Sequence, residues 1–258
     1  MAFKIALTAG HYKYTSGKRV MKSLDANETR EWTLNDRIAD KIEQKLSAYE
    51  GYSLLRTDDT TGETAISVED RVSAANRFGA DVYISIHHNA GIGGGTGGGI
   101  MAYTYTKVGE DTKQWQKELY DALIYHTGLK GNRATPLATA NFAECRDTAM
   151  PAVLLELGFM DSAVDVPMIL SETFAESAAN AIVEVIVKKG GLSKKPTPQP
   201  TPQPEPIPEY EPTPTPETEI KHDDAENLIK ENANIIVRFL KFVATLVAKI
   251  FGKNEENV

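Results

Sequence analysis

Cysteine is almost absent from this chain, whose 258 residues include one, Cys145. A single cysteine excludes an internal disulfide framework. With no Cys-x-x-Cys pair, the sequence also lacks the usual ligands of a structural zinc site. We expect a buried thiol at Cys145 rather than a nucleophile, because free cysteine is among the most buried residue types.

Positive charge is also in short supply. The chain has 28 Lys and Arg residues against 36 Asp and Glu residues, a formal net charge of -8. No extended cluster of Lys and Arg offsets this balance. A nucleic-acid partner is therefore not expected, since such partners require basic patches.

Three further patterns are missing. The opening segment MAFKIALTAGH has no charged stretch followed by an apolar core, so we expect no signal peptide and synthesis in the cytoplasm. No serine lies in the Gly-x-Ser-x-Gly setting of a serine hydrolase. The glycines of GIGGGTGGG precede a strand-like segment instead of opening a helix, which predicts a flexible loop and not a dinucleotide site.

Proline is scarce at first and then abundant, which divides the chain into parts. Ten of the thirteen prolines lie in residues 194–219. Such a segment cannot form a core and favours an extended polyproline II spacer. We therefore predict a globular domain over 1–192, a Pro-rich linker over 193–219 and a C-terminal amphipathic helical segment over 220–258.

The C-terminal segment carries a narrow basic stripe. Residues 235–251 are apolar except for four positions that share one helix face, which are Arg238, Lys241, Thr245 and Lys249. The stretch is at or below the length needed to span a bilayer. Three roles stay open for residues 228–251: binding a membrane surface, self-association, and docking on the first domain.

Strand and helix patterns alternate through residue 192. The predicted strands are Phe3–Leu7, Tyr52–Arg56, Val82–His87, Gly99–Tyr105 and Ala152–Glu156. The predicted helices are Glu31–Tyr49, Val68–Phe78, Asp111–Thr127, Ser162–Ser171 and Glu172–Lys189. This alternation predicts an α/β fold with an open, twisted, mostly parallel sheet and helices on both faces.

Side chains that can bind a metal occur in or just after three of the apolar strand-like segments. FKIALTAGH ends at His11, VYISIHHNA contains His87 and PAVLLELGF contains Glu156. Because ligands of open α/β sheets lie at the carboxyl ends of the strands, we expect these residues at one edge. Glu31, at the start of a helix pattern, is a fourth candidate, and Glu28 competes with it. Two histidines and a carboxylate form a hydrolytic zinc set, and a further Glu can serve as the base.

The surrounding motifs resemble the zinc-dependent N-acetylmuramoyl-L-alanine amidases of the Amidase_3 type. The resemblance covers residues 3–189, and the matching pieces occur in the family's order. They are TAGH, EWTLNDRIA, RTDD, RVSAANRFGADVYISIHHNA, GGGIMAYTY and MPAVLLELGFMDS. The resemblance implies a peptidoglycan hydrolase that uses one Zn²⁺ to cleave the amide bond between N-acetylmuramic acid and L-alanine.

The resemblance also implies roles for individual residues. It makes His11, Glu31 and His87 the zinc ligands and Glu156 the catalytic carboxylate, which takes a proton from water and passes it to the leaving amine.

Two choices between neighbouring residues follow from the family pattern. It selects Glu31 over Glu28 because Asn35 follows Glu31 at the family's spacing. The spacing His-x-Asn-Ala selects His87 over His88, whose side chain should point to the opposite face of the strand, either packed or near substrate.

Less specific expectations concern four other residues. Asn89 and Arg146 are candidate substrate-binding residues, Arg146 for a muropeptide carboxylate. Arg71 and Asn76 belong to a matching block and are expected to anchor a helix to the sheet.

The resemblance favours a lytic enzyme, either a phage endolysin or a bacterial autolysin, that acts on the cell wall after release from the cytoplasm. The alternative is a cell-wall-binding, membrane-active protein whose C-terminal basic apolar helix causes the damage.

Overall fold

The computed structural model describes residues 2–196. Most of the predicted linker and the whole predicted C-terminal helix lie outside these residues. The domain boundaries at residues 192 and 219 and the amphipathic helix over 220–258 therefore stay predictions.

A six-stranded sheet forms the centre of the described domain, in the order β3-β1-β4-β7-β5-β6. The strands of the domain are β1 Phe3–Ala9, β2 Tyr49–Glu50, β3 Tyr52–Arg56, β4 Val82–Asn89, β5 Ile100–Thr104, β6 Leu137–Thr139, β7 Ala152–Phe159 and β8 Ser193–Lys194. All neighbours in the large sheet are parallel except β5 and β7, which are antiparallel. The predicted mostly parallel sheet is confirmed. The short β2 and β8 form a separate antiparallel pair.

Helices cover both faces of the sheet, as predicted. They are α1 Glu31–Leu46, α2 Val68–Phe78, α3 Glu110–Thr127, α4 Ala143–Arg146, α5 Asp165–Ile169 and α6 Glu172–Gly190. Ile5 and Leu7 of β1 belong to the large core that includes residues of α1, α3 and α6. Ala6, between them, faces the smaller cluster that includes Ala75 of α2. Successive strand residues thus serve opposite layers. No helix within residues 2–196 has the length and apolarity required to cross a bilayer.

Local sequence explains where α2 and α6 begin and end. The Ser67 hydroxyl accepts a hydrogen bond from the Asp70 amide at 3.1 Å, and Gly79 ends α2 in the left-handed conformation. Ser171 caps α6 in the same way, and Gly191 follows its last turn. A side-chain oxygen at the N-cap and glycine after the last turn satisfy backbone groups that a helix leaves unpaired.

The structure differs from the sequence prediction at several short elements. The predicted helix over Glu31–Tyr49 stops at Leu46, because Tyr49 pairs with β8. The predicted helix over Ser162–Ser171 is confined to α5; Ser162 lies before it, and its hydroxyl accepts a hydrogen bond from the Asp165 amide at 3.2 Å. Elements β2, β6, α4 and β8 were not predicted, because two to four residues show no periodicity.

Candidate metal centre

The first candidate ligand lies immediately after β1. His11 has a φ of 68°, a left-handed conformation that is uncommon for a residue with a side chain. The buried guanidinium of Arg71 donates hydrogen bonds to the carbonyls of Ala9, at 2.8 Å, and of His11, at 2.7 Å. Asn35 donates to the Gly10 carbonyl at 3.1 Å. These contacts hold the strained backbone and orient the His11 imidazole.

Glu31 is the first residue of α1 and is fully buried. The loop before it folds back on itself, with Val20 donating to the Thr29 carbonyl at 2.9 Å. The Glu31 amide then donates to the Lys18 carbonyl at 3.1 Å. Glu28, the competing candidate, instead faces Arg19 at 3.4 Å and lies outside the cluster.

His11, Glu31 and His87, the candidate metal set, meet at one point. Glu31 Oε1 lies 3.2 Å from His11 Nε2 and 3.2 Å from His87 Nδ1. One ligand atom from each residue lies within 4.8 Å of the others. Burial alone would raise the pKa of Glu31, but the two histidines beside it hold that pKa well below its usual range.

The donor set fits a zinc ion. Ligand atoms about 2.0–2.1 Å from a tetrahedral centre lie roughly 3.3 Å from one another, close to the Glu31–histidine separations. Among the described residues, His11 Nε2 and Glu31 Oε2 are buried without a hydrogen-bond partner. Buried polar atoms ordinarily have partners, so these orphaned atoms point to a bound cation.

Glu156 is brought beside this cluster by the sheet. It is paired with His87 in the parallel register of β4 and β7. Burial raises the pKa of Glu156 to about 7, and its Oε2 makes no hydrogen bond within the described chain. A carboxyl that gains and loses a proton near neutrality suits general acid–base chemistry.

His88 points away from the metal set, as expected for the next residue of a strand. Its ring is buried, and its Nδ1 lies 2.8 Å from Asn35 Oδ1. Burial lowers the pKa of His88 to about 3, so the ring is neutral in the folded protein. Asn35 therefore connects the His88 ring to the Gly10 backbone, and His88 has a structural role.

One charged residue at the centre was missed by the sequence prediction. Glu144 of α4 is 5% exposed, and its Oε2 lies 3.5 Å from His87 Nε2. Burial alone would lower the pKa of His87, but the carboxylates of Glu144 and Glu31 outweigh it and raise that pKa to about 10. The segment NFAECRDT has no apolar periodicity, so the sequence around Glu144 gave no sign that it is buried.

A cavity of about 430 Å³ opens beside the cluster. Its lining includes His11, His87 and Glu156, the ammonium-bearing Lys18 and the ring of Phe142. Lys18 Nζ is 3.6 Å from Glu31 Oε2. The cavity thus combines two of the candidate metal ligands and the candidate catalytic carboxylate with a cation and an exposed aromatic ring.

The two candidate substrate-binding residues do not line this cavity. Arg146 lies in a neighbouring groove between α2 and α4, where its guanidinium pairs with Asp147 at 2.7 Å. Asn89 ends β4, and its side-chain amide is 4.0 Å from Met101 Sδ. Arg71 anchors α2 to the end of β1, and Asn76 contacts the backbone of Asp147 and Ala149.

Two other motifs are structural in this fold. The glycine-rich loop was predicted to be flexible, but Asp161 holds its first residues in place. The Asp161 carboxylate accepts hydrogen bonds from three consecutive backbone amides, those of Gly91, Ile92 and Gly93. Cys145 is buried, and this burial raises the pKa of its thiol to about 12. A nucleophilic cysteine requires the opposite shift.

Comparison with known proteins places the whole domain in one group. The family model described as N-acetylmuramoyl-L-alanine amidase (Amidase_3) matches residues 5–188. The sporulation-specific N-acetylmuramoyl-L-alanine amidase of Bacillus subtilis is 37% identical over 156 residues, which cover 59% of this chain and 57% of the relative. An endolysin of Bacillus phage SPP1 is 29% identical over 195 residues, 76% of this chain and 69% of that protein.

A solved structure shows the same fold. The N-acetylmuramoyl-L-alanine amidase of Clostridium difficile 630 superposes with a TM-score of 0.65 at 27% identity. The superposition covers 72% of this chain and 96% of that structure. The match thus extends over nearly all of that protein's structure.

Proposed function

This chain belongs to the N-acetylmuramoyl-L-alanine amidase family, and we propose that it hydrolyses the amide bond between N-acetylmuramic acid and L-alanine of peptidoglycan with the help of one bound zinc ion. The observation that supports zinc is the convergence of His11, Glu31 and His87 on one point, with Glu156 beside it. Two histidines and a carboxylate that leave a fourth position open are typical of hydrolytic zinc enzymes.

In the proposed reaction, three side chains bind the metal and a fourth transfers the proton. His11, Glu31 and His87 would hold the ion, which when bound lowers the pKa of water and polarises the amide carbonyl. Glu156 accepts a proton from the attacking water and returns it to the amine of L-alanine as the carbon–nitrogen bond breaks. The products are the carboxylate of the muramoyl lactyl group and a free L-alanine amino terminus.

The lytic role rests on the relatives. The matched proteins include a phage endolysin and a bacterial sporulation amidase. We infer that this chain acts on bacterial cell walls, with peptidoglycan as its substrate and lysis as the outcome.

Replacement of Glu156 by Gln tests the assignment. Turnover on purified walls should fall by about 10²–10⁴-fold, since general acid–base catalysis contributes that much, while zinc content stays unchanged. Glu184→Gln, on the exposed face of α6, is the matched control and should behave like the wild type. The assay counts new L-alanine amino termini and new reducing sugars.

Three results would refute the proposal. Wild-type activity that survives complete removal of zinc would exclude the metal mechanism. New reducing sugars without new amino termini would place the cut in the glycan. A Glu156→Gln protein as active as the wild type would remove Glu156 from the mechanism.

A further inference from the structure

Glu144 is a buried carboxylate that the proposed mechanism does not use. It belongs to the short helix α4 and reaches across to β4. There it accepts a hydrogen bond from the Ser85 hydroxyl at 2.9 Å and one from the Tyr83 hydroxyl at 3.3 Å. Its third neighbour is the ring of His87, with Nε2 at 3.5 Å. Burying a carboxylate is costly unless it is paired, so this arrangement calls for a reason.

The two nitrogens of His87 face different partners. Nδ1 faces Glu31 and the metal set, at 3.2 Å from Glu31 Oε1, whereas Nε2 faces Glu144. A neutral imidazole carries its single proton on one nitrogen only. A His87 that binds a metal through Nδ1 must therefore carry its proton on Nε2, directly towards Glu144.

A carboxylate at the second nitrogen is a recurrent feature of metal-binding histidines. It fixes the tautomer and the ring orientation, and it makes the ring a better ligand. Nε2 lies 3.5 Å from Glu144 Oε2, which is longer than a typical hydrogen bond, and it has no hydrogen-bond partner elsewhere among the described residues. Tyr83 bonds Oε1 and Ser85 bonds Oε2, so the carboxylate is held with Oε2 beside the ring.

We propose that Glu144 is a positioning residue that holds His87 in the Nε2-protonated tautomer and so prepares Nδ1 to bind the metal. This inference rests on the proposed function, because it takes His87 as a metal ligand. Glu144 acts through His87, while the reacting groups are those already described. The residue's sequence neighbourhood did not suggest this role, which follows from its position across from β4.

Glu144→Gln is the informative variant, because it changes one atom of nearly the same side chain. The glutamine carbonyl can take the place of Oε1 and accept the Tyr83 hydroxyl, while its NH₂ group takes the place of Oε2 and faces both Ser85 Oγ and His87 Nε2. An NH₂ group donates, so it favours a bare Nε2 and moves the proton to Nδ1, the atom that the metal needs. We expect zinc affinity to fall by about 10–100-fold, the range found for such outer partners.

Two measurements separate positioning from a merely structural role. Nitrogen-15 NMR of histidine-labelled, metal-free full-length protein, recorded at a pH above the raised pKa of His87 so that the ring is neutral, reports the His87 tautomer. The ring should be Nε2-protonated in the wild type and shift towards Nδ1-protonated in Glu144→Gln. Competition with a chromophoric chelator reports zinc affinity. Asp165→Asn is the matched control. Asp165 is also a buried carboxylate, but it accepts hydrogen bonds from the backbone amides of Gly99 and Phe159 and not from groups beside His87. It should leave both the tautomer and zinc affinity unchanged.

The outcomes are distinct. A Glu144→Gln protein with the wild-type tautomer and wild-type zinc affinity would overturn the inference. So would a loss of thermal stability in the metal-free variant with no change of tautomer, which would make Glu144 a packing residue. Failure of the wild type to bind zinc or to cut walls would instead refute the proposed function, and the tautomer in metal-free protein would still be readable.

Discussion

At residue scale, the geometry of the metal set depends on a glycine. Gly10 lies between β1 and His11, and a Cβ atom built on it would overlap the imidazole ring of His87. Its φ is not in the left-handed region, so the requirement is for space and not for backbone freedom. The His87 ring therefore approaches the end of β1 more closely than any side chain at position 10 would permit.

Gly10→Ala should separate metal binding from folding. We expect the added methyl group to displace the His87 ring and to weaken zinc binding by about tenfold or more, with the domain still folded. Zinc competition assays and circular dichroism would measure the two properties. Gly109→Ala is the matched control, because its Cβ would meet no atom within 4 Å and its φ is -75°. Zinc binding as tight as the wild type in Gly10→Ala would contradict the steric argument.

The sequence allowed some of these residues to be placed and not others. His87 and Glu156 could be assigned to one edge because each lies on an apolar strand, and parallel strands bring their carboxyl ends together. Glu31 needed the family pattern, since the loop that returns it to His11 has no periodicity. Glu144 was missed because its burial depends on α4 lying across β4, a tertiary contact that no local pattern records.

At element scale, α2 holds the end of β1 through one side chain. The buried Arg71 guanidinium donates to the Thr8 hydroxyl at 2.9 Å and to the carbonyls of Ala9, His11 and Ile66. The planar fork of arginine reaches several acceptors at once, which an ammonium group cannot do in the same geometry. The helix thus fixes the strand end that carries His11, the first proposed metal ligand.

Arg71→Lys should weaken both the fold and the site. We expect the free energy of unfolding of metal-free protein to fall by about 2–3 kcal/mol, because buried acceptors lose charged donors. Zinc affinity should fall as well, since the His11 backbone loses its support. Urea denaturation and chelator competition would measure these effects. Arg77→Lys, exposed on the same helix, should change stability by less than about 0.5 kcal/mol. Equal effects of the two substitutions would contradict the role assigned to the Arg71 hydrogen bonds.

At this scale, the long helices and strands could be predicted from the sequence, whereas the shortest ones could not. Both bounds of α2 match the prediction because a serine cap and a terminal glycine mark its ends. The antiparallel direction of β5 was not predicted, since its glycine-rich approach gives no sign of direction. The difference matters for the site, because β5 pairs with β7 at Met101 and Glu156 and so flanks the proposed catalytic carboxylate.

At the scale of the whole molecule, the described domain closes on itself near its C-terminal end. The short β8 pairs with β2, and the Lys195 amide donates to the Ala48 carbonyl at 2.9 Å. Leu192, just before β8, is buried in the large core. Residues up to Lys195 therefore take part in the fold.

A chain that ends at Thr197 should then be a complete enzyme on small substrates. We expect it to match the full chain in thermal midpoint, zinc affinity and rate on a soluble muramoyl-peptide, because the metal set and cavity lie within residues 11–156. A chain that ends at Leu192 is the matched control. It loses the β2–β8 pair and should unfold at a lower temperature than the chain ending at Thr197. Calorimetry and a soluble-substrate assay would measure these properties.

The same pair of chains tests the roles left open for residues 228–251. If the C-terminal segment assembles copies, light scattering should give a larger particle for the full chain than for the chain ending at Thr197. If it binds membranes instead, only the full chain should sediment with anionic liposomes, since a basic apolar helix binds such surfaces.

Killing by the full chain that persists after zinc removal would favour the membrane-active alternative over the amidase. Loss of zinc affinity in the chain ending at Thr197 would show that the later residues support the metal centre itself.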